Sequence, residues 1–353
     1  MVQMNYDIRR KKAVRVRVML QRPYLLFLGD APDKLAAKTA IGVVHWCAES
    51  CIGQLKLEGC NADLGLPDMT LEAAVEAGAQ TMIIGVANRG GVISEVWTDT
   101  IVRAIELGFD IASGLHNRLD SIPVIANAAL KHGCKLFDAR HPTREFDVGN
   151  GKKRSGMRLL PVGTDCSVGK MYTALAIERE MLTRGINATF RATGQTGIFI
   201  AGCGVSVDAV VADFISGATE WLSPANEPDH WDVVEGQGSL FHASYAGVSM
   251  GLIHGAQPDA LVLCHEPSRL HMRGLPEYQI PDLKECLDAN IGAARLTNPR
   301  AICIGASINT HELPKVDRRA YLRSVEEALG LPAVDPVETG VAKLVDNLPA
   351  STS

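Results

Sequence analysis

Nowhere in the 353 residues is there an apolar run of the roughly 18 residues that a helix needs to span a bilayer. The basic start is not followed by the apolar core of about 7–15 residues that a secretory signal carries. The chain is therefore expected to stay in the cytoplasm and away from membranes. No C-x-x-C pair occurs among the nine cysteines, an odd number scattered through apolar segments, which excludes a disulfide scaffold and fits a reducing compartment. Positive charge is not in excess either: 35 basic against 40 acidic residues leave −5. No global field draws the chain to nucleic acid, so an anionic ligand must be held by local groups. Repeats of fixed period and low-complexity tracts are also missing.

What is present is the composition of a globular protein, 46% hydrophobic and 21% charged, and at about 150 residues per domain the length suggests two domains. Residues 1–22 carry Arg9, Arg10, Lys11, Lys12, Arg15, Arg17 and Arg22 against Asp7 alone, +6 against −11 for the remainder, and read as a solvated basic arm. Residues 24–28, 81–86 and 134–137 have the short apolar runs of strands, and 70–78, 95–107 and 122–132 have the amphipathic period of helices. This alternation implies a parallel α/β sheet. The polar, glycine-rich stretch 146–156 reads as a linker. Beyond it, strands are expected at 158–162, 186–192, 209–214, 231–234, 260–264 and 301–305. The expected architecture is α/β with two parallel-sheet domains, 23–145 and 157–353, the first Rossmann-like and the second P-loop NTPase-like.

The segment R-L-L-P-V-G-T-D-C-S-V-G-K-M-Y (158–172) is an apolar strand, a glycine loop closed by Gly169-Lys170, and the start of a long helix. That context suits a phosphate-binding loop: backbone N–H groups, the positive end of the helix and the lysine ammonium converge on one anion. Its ligand residues would be Gly163, Thr164, Asp165, Cys166, Ser167, Val168, Gly169, Lys170, Met171 and Tyr172. Two departures from the common nucleotide loop matter. Five residues separate the glycines instead of four, a form that resembles the loop of dethiobiotin synthetase. Met171 also stands where a hydroxyl would bind magnesium, and a thioether is a poor ligand for that ion. The loop thus suits a diphosphate that is gripped without being cleaved, such as that of coenzyme A, unless Thr173 or Asp165 replaces the hydroxyl. In that case an ATP- and magnesium-dependent ligase or kinase is the alternative.

A second glycine cluster, V-V-E-G-Q-G-S-L (233–240), ends an apolar strand with Glu235, at the end of the sheet where open α/β folds bind ligands. Between the two clusters lies R-A-T-G-Q-T-G (191–197). Together with G-A-Q-P-D-A-L-V-L-C-H-E-P (255–267), P-Y-L-L-F-L-G-D-A (23–31) and K-T-A-x-G (38–42), these segments resemble the DgcN-type D-glutamate N-acetyltransferases, a family long catalogued as an uncharacterised domain. The likeness covers nearly all of the chain after about residue 20. It implies transfer of an acetyl group from acetyl-CoA to the amine of D-glutamate, small-molecule partners only and no metal; a homo-oligomer is expected on size.

Such a transfer needs a base and a polarised thioester carbonyl. Glu235 is the first candidate base, with His242 and His265 as alternatives. Cys166, near a helix start and Lys170, could carry the acetyl group or be merely a small loop residue. The two carboxylates of the acceptor call for guanidinium groups, for which Arg89 with Gly90, Arg191, Arg269 and Arg273 compete. His45, Cys47 and Cys51 lie close enough to suggest zinc, but a helical core face accounts for them without a second cluster.

Overall fold

The computed structural model of the chain describes residues 20–86, 93–142 and 144–350. These form two units, one from Val16–Arg144 with Gly194–Ala209 and the other from Glu145–Thr193 with Val210–Ser353. In the N-terminal unit, β1 (Tyr24–Gly29), β2 (Cys51–Lys56), β3 (Thr81–Ile84), β4 (Asp110–Ser113) and β5 (Leu136–Asp138) lie in the order β2-β1-β3-β4-β5, every neighbouring pair parallel. All six residues of β1 are buried, as a strand covered on both faces requires. The helices start and stop where their chemistry dictates. Thr70 and Ser94 accept N–H bonds from Ala73 and Trp97, Pro123 occupies the first turn of its helix, and Gly133 closes that helix with φ of 70°. The sequence pattern places β1, β3 and β5 to within a few residues but gives no range for β2 or β4. Gln54 of β2 is buried because both ends of its amide are satisfied, by Asp63 and Asp68 on one side and the Leu64 N–H on the other.

The C-terminal unit holds β6 (Met157–Gly163), β7 (Ala188–Arg191), β8 (Trp231–Val234), β9 (Ala260–His265), β12 (Ile302–Ile308) and β13 (Ala333–Val334), all parallel, in the order β13-β12-β9-β6-β8-β7. A short antiparallel ribbon, β10 (His271–Met272) and β11 (Leu275–Gln279), follows β9. Strand β6 lies between β8 and β9, and the chain leaves it toward β7 on one side and later returns as β9 on the other. Its carboxyl end is thus the topological switch point of the sheet, where open α/β folds take ligands.

Two expectations are corrected. Residues 209–214 are not a strand; they lie in the 3₁₀ turns Val207–Ala209 and Ala212–Phe214. Val211 is 67% exposed, so this apolar run lacks the two-faced burial of a parallel strand. Residues 146–156 are bonded into the C-terminal unit instead of linking freely. Phe146 packs on Trp221, Glu220 accepts from the N–H groups of Asn150 and Gly151, and Arg154 donates to the Gly255 and Ala256 carbonyls.

Gly236, just beyond β8, marks the tightest approach near the switch point. A Cβ there would lie 1.8 Å from the Pro161 carbonyl oxygen and 3.0 Å from Cδ of Lys170. Gly236→Ala is expected to destabilise the protein by about 1–3 kcal/mol, the usual cost of overpacking. An unchanged urea midpoint would contradict this account.

Candidate anion-binding site

At the carboxyl end of β6 the chain turns through Thr164–Gly169 into the helix Lys170–Thr183. Gly169 caps that helix with φ of 99° and no side-chain bond to the first turn, which leaves helix N–H groups for a ligand. Ser167 also has a positive φ, 57°. Val168 is buried, Met171 and Tyr172 are half-buried on the first helical turn, and burial pushes the Tyr172 phenol up. Lys170 is buried, and its Nζ donates to the Asp165 carbonyl oxygen at 2.7 Å. Desolvation depresses its pKa, so an anion on the loop would stabilise its charged form.

Asp165, with no exposed surface, is the hub of the site. One carboxylate oxygen accepts from the Cys166 N–H at 2.6 Å; the other accepts from Arg269 Nη1 and from the Arg273 N–H, both at 2.8 Å. Arg269 also donates to the Cys166 carbonyl and to Glu266, and Arg273 bonds the Ser167 hydroxyl. The chain after β9 is therefore fastened across the loop by both arginines, Arg269 before β10 and Arg273 just after it. Burial pushes the Cys166 thiol up, and Lys170, Arg273 and Arg269 only partly offset this, which disfavours its thiolate.

The other sequence-predicted residues divide. His265, at the end of β9, has Nδ1 3.0 Å from the Thr164 hydroxyl. Burial first, then the Arg269 charge, lower its pKa to about 4. His242 has both ring nitrogens engaged: Nδ1 accepts from the Ser244 N–H, so Nε2 carries the proton and donates to the Arg273 carbonyl at 3.1 Å. Glu235 is buried, and its carboxylate accepts from the Thr193 N–H at 2.8 Å. Arg191 is not directed to the loop. It is 3% exposed, and its Nε donates at 2.7 Å to Asp232, two residues into β8. Arg89 and Gly90 lie outside the described residues. Sequence reasoning missed Ser239, whose hydroxyl donates to the Thr164 carbonyl; its place in G-Q-G-S at a strand end is the signal that could have found it.

Among the described residues, Asp165, Cys166 and His242 are the one group of donors close enough to share a metal ion. They make a poor site: His242 Nε2 bears its proton, and Arg269 already neutralises Asp165. Thr173 does not replace the hydroxyl missing at Met171, since its Oγ1 is buried against Ser307 at 2.7 Å and the Gly169 carbonyl. His45, Cys47 and Cys51 form no such group; the two thiols donate to the Val43 and Cys47 carbonyls.

Residues 147–345 match the family model described as a domain of unknown function (DUF1611_C), P-loop domain, and residues 55–142 match its Rossmann-like partner (DUF1611_N). The chain belongs to the DUF1611 family. A DUF1611 family protein from Anabaena variabilis, solved by crystallography, is similar to it with a TM-score of 0.84 and 29% identity over 93% of this chain and 99% of that one. Two similar proteins are named D-glutamate N-acetyltransferase. That of Tritonibacter scottomollicae is 57% identical over 332 residues, and that of a Pseudoalteromonas species 48% over 331, each alignment covering 94% of this chain and 100% of the relative.

Arg191→Met removes the guanidinium from buried Asp232 and leaves it only the longer contacts of Asn226 at 3.4 Å and His230 at 3.5 Å, and a loss of about 3–5 kcal/mol is expected from chemical denaturation. A stable variant with a weakened substrate KM would instead make Arg191 a ligand. His265 contributes to acid sensitivity. Its folded pKa of about 4 lies below its ordinary 6.5, so between these values the unfolded chain binds more protons and stability falls as the pH falls. His265→Asn should flatten the stability profile in that window; a profile as steep as wild type would exclude this contribution.

Proposed function

We propose that this chain transfers an acetyl group from acetyl-CoA to the amine of D-glutamate, and that the loop Gly163–Lys170 holds the diphosphate of coenzyme A. The observation that carries the reading is the 57% identity to a protein named for this activity, sustained over 94% of the chain. The loop supports it with a helix N-terminus free of side-chain caps and a buried lysine held only by a carbonyl of its own loop. The burial of the Thr173 hydroxyl against Ser307, with Met171 beside Lys170, disfavours a magnesium nucleotide. Cytoplasmic location, a homo-oligomer and independence of metal belong to the same reading. It is consistent with nine free cysteines and with the finding that no helix among the described residues is long and apolar enough to cross a membrane.

In the reaction the ammonium of D-glutamate loses a proton to a base and its nitrogen attacks the thioester carbonyl; the C–N bond forms as the C–S bond breaks, and the nitrogen gives up a second proton, which balances the one taken up by the leaving thiolate. The pantetheine arm between diphosphate and thioester is about as long as four extended residues, roughly 14 Å. With the diphosphate on the loop, the reacting carbon is carried well away from it. His265 and His242 bond residues of the loop or of the segment fastened over it, and Glu235 precedes Gly236, which packs on Lys170. All three then shape the cofactor site, and the proton of the amine is taken at the far end of the arm. Arg273, exposed and bonded to Ser167 on the loop, is placed to pair with a further phosphate of the cofactor.

Incubation with acetyl-CoA and D-glutamate should release free thiol at a rate unchanged by EDTA; turnover that requires ATP and magnesium and releases no thiol would sink the proposal. Lys170→Ala removes a charge-assisted bond worth about 1.5–3 kcal/mol. Its KM for acetyl-CoA is expected to rise roughly 10- to 100-fold, with a much smaller change for D-glutamate. The opposite pattern would place the amino acid on the loop.

A further inference from the structure

The loop contains one group whose chemistry the acetyl-transfer reading leaves unused. Nδ1 of His265 is fixed by the Thr164 hydroxyl at 3.0 Å, whereas Nε2 has no hydrogen-bond partner in the described structure. That nitrogen is also not among the buried polar atoms left without partners, so it faces space that water reaches. Thr164 opens the loop, and its own N–H is bonded to the Cys264 carbonyl beside His265. The imidazole is therefore held against the residue that opens the loop, with Nδ1 engaged and Nε2 unbonded.

We propose that His265 is a ligand of the anion on this loop and takes up a proton from solvent when a diphosphate binds there. This rests on the reading of the loop as a diphosphate site. Among the described residues no carboxylate bonds the ring. Asp165 and Glu266 both bond Arg269, the neighbouring Ile308 and Asn309 of the β12 edge are uncharged, and the Tyr321 ring of the helix Lys315–Leu329 lies 6.5 Å away and nearly parallel. Burial and the Arg269 charge then keep the imidazole neutral. A diphosphate reverses that balance, because an adjacent anion favours the protonated ring. A solvent proton forms the N–H bond at Nε2 and the buffer supplies it. The loop thus adds a cation only when its ligand is present, which suits a protein of net charge −5. Lys170 is the other buried base whose proton affinity burial lowers and an anion would raise, and the test must separate the two.

Calorimetric titration of the full chain at pH 6 with inorganic pyrophosphate and with CoA, each in two buffers of different ionisation enthalpy, measures the linked protons. Wild type is expected to take up about one proton per site, and His265→Asn to bind with that uptake abolished and with an affinity that no longer strengthens as the pH falls. Uptake that persists in His265→Asn assigns the proton to a group other than His265, whether Lys170 or a phosphate of the ligand, and overturns the inference while leaving the diphosphate site in place. No binding of either ligand overturns both. If the variant fails to fold, the His265 ring resonance of wild type serves instead. Saturating pyrophosphate should raise its proton affinity at least about tenfold, one unit of pKa, and an unmoved titration would refute the proposal.

Discussion

The candidate site depends on one buried carboxylate. Asp165 has no exposed surface and accepts three hydrogen bonds, from Arg269, the Arg273 N–H and the Cys166 N–H. A carboxylate so placed is tolerable only because a guanidinium and two backbone donors replace its water. The same bonds fasten the segment after β9 across the loop, and they place Arg273 against Ser167 and its carbonyl against His242. Loss of that one charge would release Arg269 and the Arg273 backbone from the loop, whereas Lys170 and His265 keep bonds of their own.

In the proposed function a weakly acidic protein holds a highly charged anion through positive potential that is assembled locally. Helix N–H groups, Lys170, Arg269 and Arg273 meet at the switch point of the sheet. Lys170 bonds a backbone carbonyl of its own loop, and Arg269 bonds Asp165 and Glu266. In the proposed function, ligand binding is in part an exchange of these partners in a desolvated place. The cost of holding such groups is visible in the depressed pKa values of Lys170 and His265, both traced first to burial.

Much of the fold was legible because parallel strands covered on both faces are written as short continuous apolar runs, as in β1, β6 and β9. The pattern failed where burial and polarity part company. β2 hides a satisfied Gln54, and residues 209–214 carry an exposed Val211 inside an apolar run. Within the site, the loop was read from spacing alone. The division of labour among its candidate side chains was not, since Arg191 and Arg269 look alike in sequence, yet one is locked to Asp232 inside the sheet and the other crosses the loop.

By itself the sequence determined that two parallel α/β sheets form, that the second carries a phosphate loop ending at Lys170, and that Met171 removes the usual magnesium hydroxyl. These follow from local period and spacing, which the chain expresses before it folds. Only the tertiary structure decided which groups surround the loop. His265, Arg269 and Arg273 stand 95 or more positions from Lys170 in the chain, and strand pairing of β9 with β6 brings them to it. Burial in that setting then selects their protonation states, a property of the surroundings that no residue carries alone.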